Sequence, residues 1–596
     1  MCGGHVSGIR EIISESPGPC HNGSVSTQAA SLRAYLSARP WLQAVFLTAV
    51  SFAVLSPSLG AGFVWDDLQQ IVSSPTISDP AAPARYFFLN VVESYGSEGR
   101  GADGVDTYRP LFFVTLWLVH RINGPDPFYF HLAVLLAHLG VCLLLWTAAR
   151  RWIGSNLAAA AVFIAFAIHP VTAEATLWAS AVSEPLATAG LLGSALILDR
   201  WCSRGRSGLV AAAGAGLVLL VGLLAKEAVL TALPVVSLFL WRIRGIRLRA
   251  LLGPWIAAIV FLALRVNALD GLQATGGDAG QRLDAIRNIP VLILDALRAM
   301  FTLWPVGIRH LYWDYCDLSW AASVAAAAAV LILAVLAWRV RRRLPLTPTA
   351  LGITICMMVP VALVSTVPGW GGFGRYLYLP WGFTALAAAE IGRRLLEWFR
   401  DRAPRFSWAV PAVVVVFLSV ELLGLHHALE VYQSQESLAR ASIELAPHAP
   451  DGWEWLGNHY IEIGDLENAA LCYAEAVAVA PSLFRPRHNL AAALLYLDRP
   501  AGALEHERVA EEFHGPTTDS AFVMISALIE LEQWSEAETR LLEGLDRDPD
   551  SASLSELQVR LLAEHPEPEA YRDWLATQLE SNPGRPAAAV IRPLLF

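Results

Sequence analysis

Six short stretches of this chain carry the residue types that chemistry needs. They are Trp65-Asp66-Asp67, Tyr108-Arg109-Pro110, His169-Pro170 with Glu174, Ser183-Glu184, Lys226-Glu227, and Arg375-Tyr376-Leu377-Tyr378. A hydroxyl that attacks an electrophilic carbon needs a carboxylate to receive its proton. A phosphorylated leaving group needs a cation to hold it. Lys226 and Arg375 suit the second role, and Asp66 or Asp67 the first. Adjacent side chains on a helix diverge by about 100°, so at most one aspartate of the pair faces the acceptor while the other orients it or holds a cation. The oxygens of one dipeptide are too few to define a metal site, so no metal ligands are assigned and a divalent ion is left open.

Each stretch can also be read without chemistry. Paired aspartates at the end of a membrane span can simply be solvated, His169 can be a satisfied interfacial histidine, and Lys226 with Glu227 can neutralise each other at a tight turn. The joint pattern argues otherwise. Ionisable groups at membrane depth cost about 2.5–3.5 kcal/mol each on insertion scales and tend to mark function. Here acids, a histidine and cations are all expected on one face of a bilayer.

The elements that position them are hydrophobic. Of the 596 residues, 55% are hydrophobic and 16% charged, and the mean hydropathy is +0.45. These values describe an integral membrane protein. Apolar segments at 41–60, 128–149, 155–168, 183–199, 207–225, 227–241, 250–265, 289–304, 319–338, 349–367, 376–395 and 406–425 are candidate spans, set against the roughly 20 residues that a crossing needs. Arginine clusters at Arg150–Arg151, Arg200–Arg206, Arg242–Arg249, Arg339–Arg343 and Arg393–Arg405 set the cytoplasmic side. Keeping all five inside requires that 289–304, with Asp295 and Arg298, lies along the interface or re-enters. The stretch 110–122 then lies on the outer surface. Eleven spans remain, with residues 1–39 as a disordered cytoplasmic lead, a body at 40–427 and an external loop at 61–127. The C-terminal part follows on the outer side, and a bacterial inner membrane is the expected setting. The seven cysteines show no CxxC spacing and suggest neither a disulfide framework nor zinc. Lys226 is the sole lysine.

Charge divides the chain. From residue 440 onward 27 acids face 11 bases, a net of −16, which leaves +6 for the remainder. That acidic tail is periodic. Trp453, Leu456, Gly457, Tyr460, Ala469, Tyr473, Ala476 and Pro481 occupy the signature positions of a tetratricopeptide repeat. Ala503 and Ala537 follow Ala469 at steps of 34. After a linker helix at 428–449, the repeats are expected over 450–585, three good ones and a degenerate cap, with a tail at 586–596. Their acidity argues against nucleic acid. A surface that recruits an acceptor protein or another partner is the expected role.

In the same residues the chain resembles a known family, the transmembrane and tetratricopeptide-repeat-containing O-mannosyltransferases, among the multi-span C-type glycosyltransferases. The stretches that carry the resemblance are Phe63-Val-Trp-Asp-Asp67, Tyr108-Arg-Pro-Leu111 with Phe130-His131 and His138, and His169-Pro-Val-Thr-Ala-Glu174. Lys226-Glu227 and Arg375-Tyr-Leu-Tyr-Leu-Pro380 with Gly382-Phe383 complete the set. The resemblance implies an all-α fold, a polytopic transmembrane bundle followed by a tetratricopeptide solenoid. It also implies inverting transfer of a sugar from a polyprenyl-phosphate carrier to a hydroxyl. The base role falls to Asp66 first and Asp67 second, and Tyr108, Arg109, His169, Glu174, Lys226, Glu227, Arg375 and Tyr376 are carried over as substrate-binding residues. Two positions depart from the family. Gly374 stands where an acid usually precedes the arginine, and Ser183-Glu184 replaces the family's usual pattern at that place. A bacterial chain implies an undecaprenyl-type carrier, and the sugar need not be mannose. A second reading is a non-catalytic membrane-anchored scaffold for envelope proteins, to which Gly374 lends support. A transporter fits less well, because the polar residues lie at one edge and the spans do not repeat.

Overall fold

The structure is a computed structural model that describes residues 39–89, 107–202, 208–269, 279–301, 311–315, 318–366 and 372–581, with 587 and 591. The expected cytoplasmic lead lies outside the described residues except for Arg39. Most of 586–596 and residues 367–371, the start of the glycine-rich stretch Gly369-Trp-Gly-Gly-Phe-Gly374 included, also lie outside them. The fold is all-α.

The body begins with α1 (Pro40–Leu55), α2 (Pro110–Asn123), α3 (Pro127–Trp152) and α4 (Asn156–Ile168). It continues with α5 (Ser183–Cys202), α6 (Gly208–Ala225), α7 (Leu233–Arg242), α8 (Leu248–Ala268) and α9 (Ala279–Phe301). Helices α10 (Trp320–Val340), α11 (Leu346–Val364), α12 (Tyr378–Arg402) and α13 (Ala409–Val431) complete it. Among the described residues eight helical segments are long and apolar enough to cross a membrane, or nine if α4 and the short helical piece after it, bent by 56°, count as one span. Their outward faces are greasy. Leu252, Ile259, Val324, Leu331, Val413 and Leu423 are all exposed, an arrangement that hydrocarbon tolerates and water does not. Helix α2, at 14 residues, is too short to cross. It packs Phe112, Phe113 and Leu116 into a small cluster with Ile71, Tyr86 and Phe130. Helix α9 carries Asp284, Arg287, Asp295 and Arg298, and is not among the apolar helices of membrane length.

Glycine sets the tightest packing. Gly190 of α5 and Gly222 of α6 face each other, and a Cβ at Gly190 would lie 2.6 Å from the Gly222 Cα. A Cβ on Gly253 of α8 would sit 1.8 Å from the Ala212 carbonyl oxygen. Only bare backbones approach this closely, which is the usual device where lipid removes the hydrophobic drive for helix association. At the arginine-rich end Asp199 accepts from Arg151 (2.6 Å) and Arg244 (2.8 Å), tying the α3, α5 and α7 ends together.

The chain leaves α13, breaks at Tyr432–Ser434, and resumes as α14 (Gln435–Leu445), which opens on a Ser434/Ser437 capping box. Four helix pairs follow: α15 (Pro450–Glu462) with α16 (Leu466–Val479), α17 (Phe484–Tyr496) with α18 (Pro500–His514), α19 (Thr518–Glu530) with α20 (Trp534–Arg547), and α21 (Ala552–Glu564) with α22 (Pro568–Ser581). Both members of each pair advance by 34 residues. Ala469, Ala503 and Ala537 are fully buried between the helices. Gly457 lets the Tyr473 ring lie against α15, where a Cβ would be 2.6 Å from it. The array is not held by its linker alone, since Trp455, Leu456 and Cys472 belong to the same apolar cluster as the body.

Candidate functional site

The polar stretches meet at the end of the bundle opposite the arginine clusters. After α1 the chain turns through Gly60–Asp67, and Trp65 adopts a left-handed φ of +52°, a conformation that costs about 1–3 kcal/mol in a non-glycine residue unless its surroundings enforce it. The two aspartates part there. Asp67 is fully buried. One carboxylate oxygen accepts from the Val64 amide (3.1 Å), the other from the Ser180 amide (2.7 Å) and the Ser180 hydroxyl. Burial pushes its acid up to about 7, against these hydrogen bonds, which favour the ionised form. With both oxygens engaged and no exposure, Asp67 pins the loop to the 3-10 turn Ala179–Val182. Asp66 keeps partial exposure on the other side.

Three cations gather around Tyr376, each beside a carboxylate from a different element, and Arg375 among them also acts on Asp66. Arg109 makes a two-pronged bond to Glu227 at 2.9 and 3.1 Å. That pairing holds the Glu227 acid down at about 2, although burial alone would raise it. Lys226 pairs with Glu184 and lies 4.9 Å from the Tyr376 ring centre. Arg375 has its Nε 3.7 Å from Glu174 and lies over Trp65 (5.3 Å), Trp178 (5.2 Å) and Tyr376 (5.5 Å). Arg265 adds a further positive charge that acts on Glu227. Tyr108 is buried, and its hydroxyl donates to the Phe87 carbonyl (3.0 Å), so it supports the loop.

Gly374 now has a physical reason. Its amide donates to Glu174 (2.9 Å), and a Cβ there would lie 2.8 Å from the same carboxylate. Gly372, at φ +92°, leaves room for the other oxygen in the same way. The space next to Arg375 is filled by an acid from residue 174, where a side chain at 374 would otherwise stand.

His169 does not join this group. Its Nδ1 accepts from the Val171 amide (3.0 Å), which leaves the proton on Nε2, aimed at the Met300 carbonyl (3.3 Å) and at Glu421 of α13 (3.5 Å). Its ring packs on Trp381 at 4.1 Å. Four contributors were not singled out from sequence. Ser180 and Trp178 carry no motif, while Gln435 and Trp455 lie some 370 residues beyond the loop they touch. Glu184, an acid opening an apolar helix, was singled out from sequence but not carried over as a substrate-binding residue. Among the described residues no group of three or more His, Cys, Asp or Glu could hold a metal ion.

Part of the chain is similar to protein O-mannosyl-transferases. It is 31% identical over 200 residues to "Protein O-mannosyl-transferase Tmtc2" of Drosophila melanogaster, which is 33% of this chain and 21% of that one. It is 31% identical over 166 residues to "Protein O-mannosyl-transferase TMTC1" of Homo sapiens, 28% of this chain and 18% of the relative. With "Protein O-mannosyl-transferase Tmtc3" of Drosophila melanogaster it shares 30% over 196 residues, 28% and 21% of the two lengths. The matches thus span about a fifth of the length of these relatives. No protein-family model matches the chain.

Proposed function

We propose that this protein is a membrane glycosyltransferase that moves a sugar from a polyprenyl-phosphate carrier to a hydroxyl of a protein or another exported acceptor. The observation that carries the reading is the division between the aspartates: Asp67 is sealed and hydrogen-bonded, while the partly exposed Asp66 stands near Arg375. The partial similarity to O-mannosyl-transferases supports it. In the step, the acceptor oxygen bonds to the anomeric carbon from the face opposite the carrier. The bond from that carbon to the phosphate oxygen breaks, and Asp66 takes the hydroxyl proton. Arg375, Lys226 and Arg109, which rest against glutamates in the structure, turn to the departing polyprenyl phosphate and stabilise its negative charge. In this reading the site faces the periplasmic side of a bacterial inner membrane, away from the arginine-rich helix ends that the cytoplasm retains, with the acidic tetratricopeptide repeats beside it to receive acceptor proteins.

The test is transfer of label from a panel of polyprenyl-phosphate sugars to envelope proteins in membranes that hold the intact chain or Asp66→Asn. Removing the base is expected to lower turnover by about 10²–10⁴-fold. Equal labelling by both proteins sinks the assignment of Asp66. A panel with no label above vector-only membranes favours the scaffold instead. Glu174, which accepts from the Gly374 amide and lies 3.7 Å from the Arg375 Nε, keeps one carboxylate beside that arginine.

A further inference from the structure

The loop that carries the aspartates is gripped from two sides, and one of them is the C-terminal region, from the break after α13 through α14 to the first helix of the array. On the body side Asp67 is fixed by Ser180, and the Trp65 ring stacks on Trp178 with centres 4.8 Å apart. On the array side the Gln433 side chain donates to the Gly60 carbonyl (2.8 Å), and the Gly62 amide donates to the Gln433 carbonyl (3.0 Å). The Trp65 amide donates to the side-chain oxygen of buried Gln435 (2.8 Å), the first residue of α14. The Trp455 ring of α15 closes over Trp65 at 5.1 Å. A left-handed φ in a bulky residue persists only where the surroundings over-determine it. Here Gln435 satisfies the amide of that residue, and Trp455 with Trp178 brackets its ring.

We infer that Gln435 and Trp455 are positioning residues for Asp66, so that the array completes the site as well as receiving acceptors. The inference rests on the transferase reading, because it assigns the two residues an effect on turnover. Asp66 follows Trp65 directly, and the backbone angles of Trp65 set where its carboxylate stands. A recruiting surface changes KM; a misplaced base changes kcat.

The test uses the full chain in membranes. Gln435→Met removes the acceptor for the Trp65 amide at similar volume, Gln435→Glu keeps an oxygen there, and Trp455→Ala removes the ring. Gln435→Met and Trp455→Ala are expected to lower kcat by about 10²-fold with the acceptor KM within about twofold. Gln435→Glu is expected to recover most of the rate. A raised KM with normal kcat, or no change in either, overturns the inference. Asp66→Asn is assayed alongside. If it loses transfer while Gln435→Met does not, the positioning role fails and the transferase reading stands; if neither loses transfer, the reading itself fails. The geometry is also read without turnover, as the exciton-coupled circular dichroism of the Trp65–Trp178 stack, taken by difference from Trp178→Phe. A couplet unchanged in both Gln435→Met and Trp455→Ala overturns the inference.

Discussion

At the scale of single residues, adjacent and chemically identical groups have been given different work by burial. Asp67→Ala would leave two buried amides and a hydroxyl without their acceptor, at about 1–3 kcal/mol for such groups. It is therefore expected to lower the melting temperature in detergent, as Ser180→Ala does to a smaller degree. Asp66→Asn, at a partly exposed position, is expected to lower the melting temperature less than Asp67→Ala does, while losing turnover. The Arg109–Glu227 pair gives a pH signature. The Glu227 acid falls from 4.5 to about 2 on folding, so the pair stabilises fully above 4.5 and loses its effect as pH falls toward 2. Thermal melts of wild type and Glu227→Gln should differ by about 2 kcal/mol near neutrality and converge across that acid window. The cations and acids of the site were each visible in the sequence, but the pairings were not. Lys226 turns from its neighbour Glu227 to Glu184, and Arg375 meets Glu174 from 201 positions away. The direction of His169 was not legible either: the Val171 amide fixes its ring toward α9 and α13, a local turn geometry that residue type does not reveal.

At the scale of elements, helix contact is governed by where side chains are missing. Gly253→Val would drive a branched side chain into the Ala212 carbonyl, already 1.8 Å from an added Cβ. Neither backbone can yield without separating α6 from α8. That variant is expected to insert into membranes yet run as a loosened species, with faster proteolysis and a markedly lower melting temperature. Gly374→Ala is milder: the new methyl meets the Glu174 carboxylate, the far end of a side chain. Overpacking of about 1–3 kcal/mol and reduced transfer from a displaced Arg375 are expected, measured by kcat beside a melt. Helix type and the 34-residue step were readable because hydropathy and repeats are local signals. The break at Tyr432–Ser434 and the short pieces between α4 and α5 were not, because tertiary contacts decide them.

At the scale of the whole molecule, body and array share one apolar cluster and one hydrogen-bonded loop. Ending the chain after Gln433 is expected to leave the membrane helices assembled but to abolish turnover for small acceptor peptides too, which a recruiting tail alone would spare. Assay of a peptide that needs no recruitment decides this. The lone lysine carries a further consequence. Its side chain is 3% exposed and joined to Glu184, and no other lysine exists to compete for an acylating reagent. Acylation read at Lys226 itself, apart from that of the chain's α-amine, therefore counts the moments when that pair opens, as hydrogen exchange counts openings of a backbone. Mass spectrometry of one modified peptide would give the frequency of those openings, and the carrier lipids that slow them would identify themselves as occupants, with no need to know the sugar.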